Sequence, residues 1–422
     1  MKLRVTPSVA TGTIQSSPSK SYSHRALVLA LLADGRSNLK NVLLSGDTVA
    51  TYQAVQAFGA RTSVKGDTVV VDGGKLCCPD KEIDAANSGT TIRIMMGIAS
   101  LLPCQTVLAG DESLRRRPMQ PLIDALNELG VRCSSKEGNG RAPIVVQGPN
   151  RGGIAHIPGD VSSQFISSLL ISAPRKEVST EIVLTTPLKS RPYVEITMGM
   201  MRRFGAEVER TDDGFFVPGR QRYEPCPYKV PGDYSSAAFP LVAGVLGGGV
   251  VVAGLDPDDK QGDRAIVDIL QNFGAGIKQG GTTVRAWAEE LEGIDVGLAD
   301  SPDLFPIVAL LGTQAKGTTT ISNAEHLRVK ESDRIHATAE FLRAMGADIE
   351  ERKDGCVVRG PTELKGARVD SLNDHRILMA AAVAGLIADG TTTITHGDCF
   401  NVSYPKFLDD MRSLGAKMEM VG

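Results

Sequence analysis

Aromatic residues are scarce in this chain, at 5% of 422 residues with a single tryptophan, yet 42% of the residues are hydrophobic. That apolar content suffices for a large buried core, the length calls for two domains or more, and a disordered or low-complexity chain is excluded. An excess of one charge is also lacking: 46 Lys and Arg stand against 49 Asp and Glu, a net charge of -3. No global attraction to nucleic acid or membrane surfaces follows, so any anion must be held locally by clustered basic residues. The seven cysteines are odd in number and lack both CxxC spacing and the density of a disulfide scaffold, so they read as reduced core thiols. There is no GxxxxGK[ST] loop and no HExxH, and the six histidines have no metal-ligand spacing, which leaves nothing to suggest ATP or a catalytic metal. The opening stretch "MKLRVTPSVATGT" has no signal-peptide pattern, so the expected location is the cytoplasm. One uncharged window, residues 237–255, is long enough to cross a bilayer, but the "GGG" within it predicts a buried helix, a turn and a strand instead.

What the chain does contain is a phrase used six times: an apolar helical stretch, a glycine, a small or apolar residue, then a strand. The glycines are Gly59, Gly130, Gly205, Gly274, Gly346 and Gly415, spaced by 71, 75, 69, 72 and 69 residues. Such regularity predicts one structural unit repeated six times, with each glycine at a left-handed helix end. Every repeat also has a second helix, apolar nearly all round, as in "SHRALVLALLA" and "HRILMAAAVAGL". Helices of that kind belong in the middle of a domain.

Directly before each buried helix lies a polar cluster: Ser19-Lys20-Ser21, Asn87-Ser88-Gly89-Thr90, Ser162-Ser163-Gln164, Asp233-Tyr234-Ser235, Asp300-Ser301-Pro302-Asp303 and Asn373-Asp374-His375-Arg376. Helix capping accounts for part of this. If the helices lie parallel, their N-termini converge, and free N–H groups with the positive dipole ends favour anions. Three stretches add cations there. "LRVKESDRIHATAEFLRAMG" predicts a helix beginning near Glu331 with Lys330 and Arg334 around its start; "GDESLRRRPMQPLIDAL" sets Arg115 to Arg117 before a helix-opening proline; "NDHR" supplies Arg376. Together with Lys20 and Arg25 these imply a small, heavily anionic ligand bearing phosphate and carboxylate.

The motifs "PSKSYSHR", "NSGTTIR", "RRRP", "VSSQFISSLL", "SRPYVEIT", "LRVKESDR" and "NDHR" occur in an order that resembles the 5-enolpyruvylshikimate-3-phosphate synthase family, over the whole chain. The resemblance implies an α/β enolpyruvyl-transferase fold of two domains, each of three βαβαββ-type repeats around buried parallel helices. The expected domains are residues 1–17 with 231–422, and residues 18–230, with the active site in the interdomain cleft. The implied reaction transfers the enolpyruvyl group of phosphoenolpyruvate to the 5-hydroxyl of shikimate 3-phosphate, releasing phosphate, in aromatic amino acid biosynthesis. No cofactor and no metal is needed, the protein is expected to be a monomer, and the resemblance makes it a glyphosate target.

By the same resemblance, Lys20, Ser21, Arg25, Ser162, Ser163, Gln164, Ser190, Tyr193, Asp303 and Lys330 bind shikimate 3-phosphate. Lys20, Asn87, Gly89, Arg117, Gln164, Arg334 and Arg376 bind phosphoenolpyruvate. Asp303 is the expected acceptor of the 5-hydroxyl proton, Glu331 the acid that protonates the methylene carbon, and Lys20 the cation that steadies developing charge. Two positions depart from the pattern: His326 where some members have Asn, and Val402 where a phosphoenolpyruvate-contacting Lys is found, with Lys406 four residues on. The rivals are the related transferase acting on a UDP-amino sugar and a non-catalytic repeat protein that binds anionic metabolites. The first generally carries a loop Cys, or occasionally Asp, near "GDESLRRRP", where no Cys occurs; "PSKSYSHR" and "VSSQFISSLL" also count against it, and the presence of both Asp303 and Glu331 counts against the second.

Overall fold

The computed structural model describes residues 1–422 and divides into two compact units. One is continuous, Pro18–Pro231; the other is discontinuous, Met1–Ser17 with Gly232–Gly422. Six four-stranded sheets carry the fold, three in each unit. Each sheet has one parallel pair and two antiparallel pairs. In the sheet around Thr180–Leu184, that strand runs parallel to Gly153–Ile157 and antiparallel to Gly214–Val217, which pairs in turn with Glu209–Thr211. A parallel pair requires a crossover, and the helix Ser163–Ser172 supplies it. All six repeat glycines have positive φ, between 83° and 108°, as a helix end of that kind demands.

The N-terminal segment explains how a split unit closes. Lys2–Thr6 lies between Thr392–Thr395 and Lys417–Val421, with Leu3 opposite both Ile394 and Met420. Thr11–Gln15 then runs parallel to Gly249–Ala253 in a different sheet. One short segment thus completes the last sheet and begins the first of the discontinuous unit. The continuous unit closes comparably, since Tyr228–Lys229 near its end pairs with Arg36–Lys40 near its start.

The buried helices fill the interiors of these units. All eight residues of Phe305–Gly312 are buried, as is nearly all of His375–Ile387. Packing is close enough to dictate residue type at Gly97 in the helix Gly89–Ala99: a Cβ there would lie 2.5 Å from the Ser168 carbonyl oxygen. The uncharged window 237–255 resolves as a helix ending at Leu246 and a strand from Gly249 to Ala253, and no helix is long and apolar enough to cross a membrane.

Three expectations are corrected. Cys78 and Cys104 form a disulfide across a sequence separation of 26, and Cys77 is exposed, so only Cys133, Cys226, Cys356 and Cys399 are free buried thiols. Spacing gave no hint of the bond because it joins the connection after strand Thr68–Asp72 to the loop between the helix Gly89–Ala99 and the strand Gln105–Ala109. The helix expected near Glu331 begins at Arg334, where Asp333 caps it by accepting from the His336 N–H at 3.1 Å. The three adjacent arginines do not precede a helix-opening Pro118. They close a short helix, Glu112–Arg116, and the next helix, Gln120–Glu128, has its proline at Pro121.

Candidate functional site

In the continuous unit, the starts of several helices meet through polar side chains. Lys20, the first residue of the helix Lys20–Leu32, donates to Asp47 at 2.8 Å, and Asp47 lies in the first turn of Gly46–Ala57. Behind this pair, His24 Nδ1 lies 2.7 Å from the Thr51 hydroxyl, which is 2.6 Å from that of Thr91. Burial first, and then the charges of Lys20 and Arg25, hold the His24 pKa well below its ordinary value, so the ring is neutral. Arg25 is buried and braces three helices. It donates to Thr197 at 2.7 Å, to the Tyr193 carbonyl at 3.0 Å, to Ser167 at 3.3 Å and to the Ser21 carbonyl at 2.9 Å. Burial lowers its pKa to about 10, against the opposing influence of Tyr193 and Tyr22.

The second polar group of this unit surrounds Gly89. Arg93 donates to Gln164 Oε1 at 2.6 Å while Gln164 Nε2 donates to Thr90 at 2.9 Å. Arg117 donates to Asn87 Oδ1 at 2.7 Å, and Asn87 donates to Asp111 at 2.8 Å. A Cβ on Gly89 would meet Arg117 at 3.2 Å, Arg93 at 3.3 Å and Gln164 at 3.4 Å, so glycine lets three polar side chains converge on one helix start. Ser162 caps Ser163–Ser172 by accepting from the Gln164 N–H, and Ser163 is buried behind it. Ser190, buried with φ at 53°, precedes the helix Arg191–Arg203 that carries half-buried Tyr193.

In the discontinuous unit the corresponding gathering is one of charges. Asp303 sits in the turn Pro302–Leu304 and accepts from Arg334 Nη1 at 2.8 Å through Oδ1 and from Arg376 Nη2 at 2.9 Å through Oδ2. Arg334 also donates to Glu331 at 2.8 Å and, by two N–H groups, to Asp374 at 3.0 and 3.2 Å. Four of the five guanidinium protons are thereby engaged with carboxylates. Burial opposes the Arg334 charge, but Asp374, Glu331 and Asp303 outweigh it and hold the proton more firmly than usual. Arg376 shows the same balance, with burial overcome by Asp303, Asp233 and Asp263. Lys330 lies half-buried directly before Glu331.

Sequence reasoning missed Asp47, Arg93 and Asp374 as members of these groups. Arg93 stood inside a quoted motif, "NSGTTIR", four residues after the first residue of Gly89–Ala99, and Asp374 inside "NDHR", where it caps His375–Ile387; nearness to a helix start was the available signal. Of the departing positions, His326 is buried in the turn Glu325–Val329 and Val402 ends the turn Cys399–Val402. Lys406 precedes the helix Phe407–Ser413, where its charge acts on Asp410, the acceptor of the Tyr404 hydroxyl at 2.7 Å.

Comparison with known proteins agrees over the whole length. Residues 5–411 match the family described as EPSP synthase (3-phosphoshikimate 1-carboxyvinyltransferase). A protein of that name from Methanocorpusculum labreanum is 51% identical over 421 residues, covering 99% of each chain. One from Halobacterium salinarum is 49% identical over 429 residues, again covering 99% of each. Among solved structures, EPSP synthase from Acinetobacter baumannii superposes with a TM-score of 0.84 at 26% identity, with 100% of both chains covered. The enolpyruvyl transferase NikO from Streptomyces tendae, at 18% identity, 99% and 98% coverage and a TM-score of 0.81, shares the fold. A repeated α/β architecture, polar helix starts dense in arginine, and half-identical relatives aligned from end to end make this chain a member of the EPSP synthase (3-phosphoshikimate 1-carboxyvinyltransferase) family.

Proposed function

We propose that the protein transfers the enolpyruvyl group of phosphoenolpyruvate to the 5-hydroxyl of shikimate 3-phosphate, with Asp303 as the acceptor of the hydroxyl proton. The observation that carries this reading is the pair of guanidinium groups on Asp303, one on each oxygen, at 2.8 and 2.9 Å. Two cations favour the ionised carboxylate, which is the form able to take a proton, and they fix its plane. As the 5-hydroxyl oxygen bonds to C2 of phosphoenolpyruvate, its proton passes to Asp303, and Glu331, having taken a proton from solvent, gives it to the methylene carbon. Phosphate then leaves the tetrahedral intermediate and a methyl proton returns to Glu331, giving the enol ether. Glu331 shares Arg334 with Asp303, so the acid and the base are held from one buried anchor.

Lys20, Ser21, Arg25, Ser162, Ser163, Gln164, Ser190, Tyr193 and Lys330 are assigned to shikimate 3-phosphate by the family motifs. Lys20, Asn87, Gly89, Arg117 and Gln164, with Arg334 and Arg376, are assigned to phosphoenolpyruvate. Arg25 serves mainly through its bracing of Ser21 and Tyr193, since four of its five N–H donors are engaged with the protein. The same proposal has the protein act as a monomer in the cytoplasm. The test is phosphate release from phosphoenolpyruvate with shikimate 3-phosphate as acceptor, a UDP-amino sugar as control, and the variant Asp303→Asn. Turnover with the first acceptor only, falling about 10²-fold or more in the variant, supports the assignment; wild-type turnover by Asp303→Asn overturns it.

A further inference from the structure

Behind Asp303 lies a buried carboxylic acid that belongs to none of the assigned ligand contacts. Asp263 is in the turn Gly262–Ala265, which packs against the turn carrying Asp303, and it is 1% exposed. Its Oδ2 accepts a hydrogen bond from the Ser235 hydroxyl, while Oδ1 is buried with no donor beside it. Ser235 connects this acid to the site: its carbonyl accepts from Arg376 Nη1 at 3.0 Å, and the other arm of Arg376 holds Asp303 at 2.9 Å. The Ser235 backbone N–H is fixed in turn by Asp233 at 2.9 Å.

We infer that Asp263 is a positioning residue which, through Ser235 and Arg376, orients Asp303 and sets the net charge this cluster offers to an anionic substrate. A buried carboxyl oxygen without a donor is a poor place for a negative charge and a good one for a proton. Burial first, and then the charge of Asp303, push the Asp263 pKa up to about 7, with Asp233 acting the same way and the Ser235 hydrogen bond and Arg376 opposing. On the acid side of that value Asp263 is neutral, and the Arg376 charge is divided between Asp303 and whatever anion approaches. On the alkaline side a further negative charge faces Arg376 from behind. The cluster then repels a phosphate-bearing carboxylate more strongly, so the expected effect is on KM for phosphoenolpyruvate before kcat.

The inference rests on the proposed roles of Asp303 and Arg376, and the experiment separates the two. KM for phosphoenolpyruvate and kcat are measured from about pH 6 to about pH 8.5 on wild type, Asp263→Asn and Ser235→Ala, with Asp303→Asn alongside. Asparagine keeps the shape and can accept from Ser235 but never ionises, so the wild-type KM is expected to rise at least about fivefold more than that of Asp263→Asn across the range. Ser235→Ala keeps the acid but releases it from the chain, and is expected to lower kcat by about tenfold while retaining the pH-dependent rise in KM. Thermal unfolding gives a readout free of substrate. The folded protein keeps a proton on Asp263 that the unfolded chain releases between the ordinary carboxylate range and about 7, so stability falls as pH rises through that window. Asp263→Asn should therefore gain on wild type as pH rises, with a larger melting advantage at pH 8.5 than at pH 5. Parallel KM profiles for wild type and Asp263→Asn, with Asp303→Asn inactive, overturn this inference alone; an active Asp303→Asn overturns the proposed base instead.

Discussion

Arg334 donates through Nη1 to Asp303 Oδ1 at 2.8 Å, from a side chain only 1% exposed to one that is 22% exposed. The arginine is thus an internal strut whose far end reaches the site. Three carboxylates, from Asp303, Glu331 and Asp374, depend on it, and Asp374 has no solvent exposure at all. Lysine could satisfy one of them but has no planar fork. Arg334→Lys is therefore expected to destabilise the discontinuous unit by about 3 to 5 kcal/mol, the usual cost of stranding a buried charge. Urea unfolding measures this, and a variant within about 1 kcal/mol of wild type would show that the strut is dispensable.

A second expectation concerns the close approach of the helices Gly89–Ala99 and Ser163–Ser172 at Gly97. Gly97 N–H donates to the Ser168 hydroxyl at 3.1 Å, and that hydroxyl donates to the Arg93 carbonyl at 2.6 Å. Adding a methyl group drives atoms into the Ser168 backbone, which has no rotamer by which to escape. Gly97→Ala should cost about 1 to 3 kcal/mol despite its higher helix propensity. Because Arg93 and Gln164 hang from these two helices, KM for phosphoenolpyruvate should rise as well. An alanine variant of unchanged stability would contradict the packing described.

The Cys78–Cys104 bond closes a loop that contains Asn87, Gly89 and Arg93. For a sequence separation of 26, chain entropy predicts a stabilisation of about 3.5 kcal/mol. Calorimetry with and without a dithiol reductant, and on Cys104→Ser, should show the continuous unit melting lower in both cases while the discontinuous unit, which contains no disulfide, melts as before. Equal melting of oxidised and reduced protein would argue that the loop is held by packing alone.

Much of this arrangement was legible because it repeats. Gly59 and Gly415 lie at opposite ends of the chain, yet both end a helix with φ near 100°, as their shared phrase predicted. The buried helices were legible from being apolar all round, and the cations at their starts from the family motifs. What escaped was whatever depends on a distant partner. Nothing in "KLRVT" announces that it pairs with strands beginning at Thr392 and Lys417, because pairing is decided by the sheet it completes. Asp263 escaped for the same reason, since "QGDR" reads as an ordinary turn until Ser235 is placed against it. The start at Arg334 was misread because "KESD" offers several polar residues, and only geometry shows that Asp333 is the cap.

Lys176 supplies the last expectation. It closes the final turn after the buried helix Ser163–Ser172, donating its N–H to Ala173 O at 3.2 Å, as Leu102 does to Ala99 O at 3.1 Å in the preceding repeat. Leucine suits that place, and lysine does not: the residue is 4% exposed, and its Nζ is buried with no hydrogen-bond partner. Burial lowers its pKa from 10.5 to about 7. The unfolded chain therefore binds a proton between pH 7 and 10.5 that the folded protein does not, and stability attributable to this residue rises with pH across that window. Below it, the full cost of a buried ammonium remains. Lys176→Leu should remove that cost, stabilising the continuous unit by roughly 3 to 5 kcal/mol near pH 6.5 and by progressively less toward pH 10. Denaturant unfolding at both ends of the range decides the matter: a gain that is the same at pH 6.5 and pH 10, or a loss at both, would mean that the ammonium finds water or a partner and carries no such penalty.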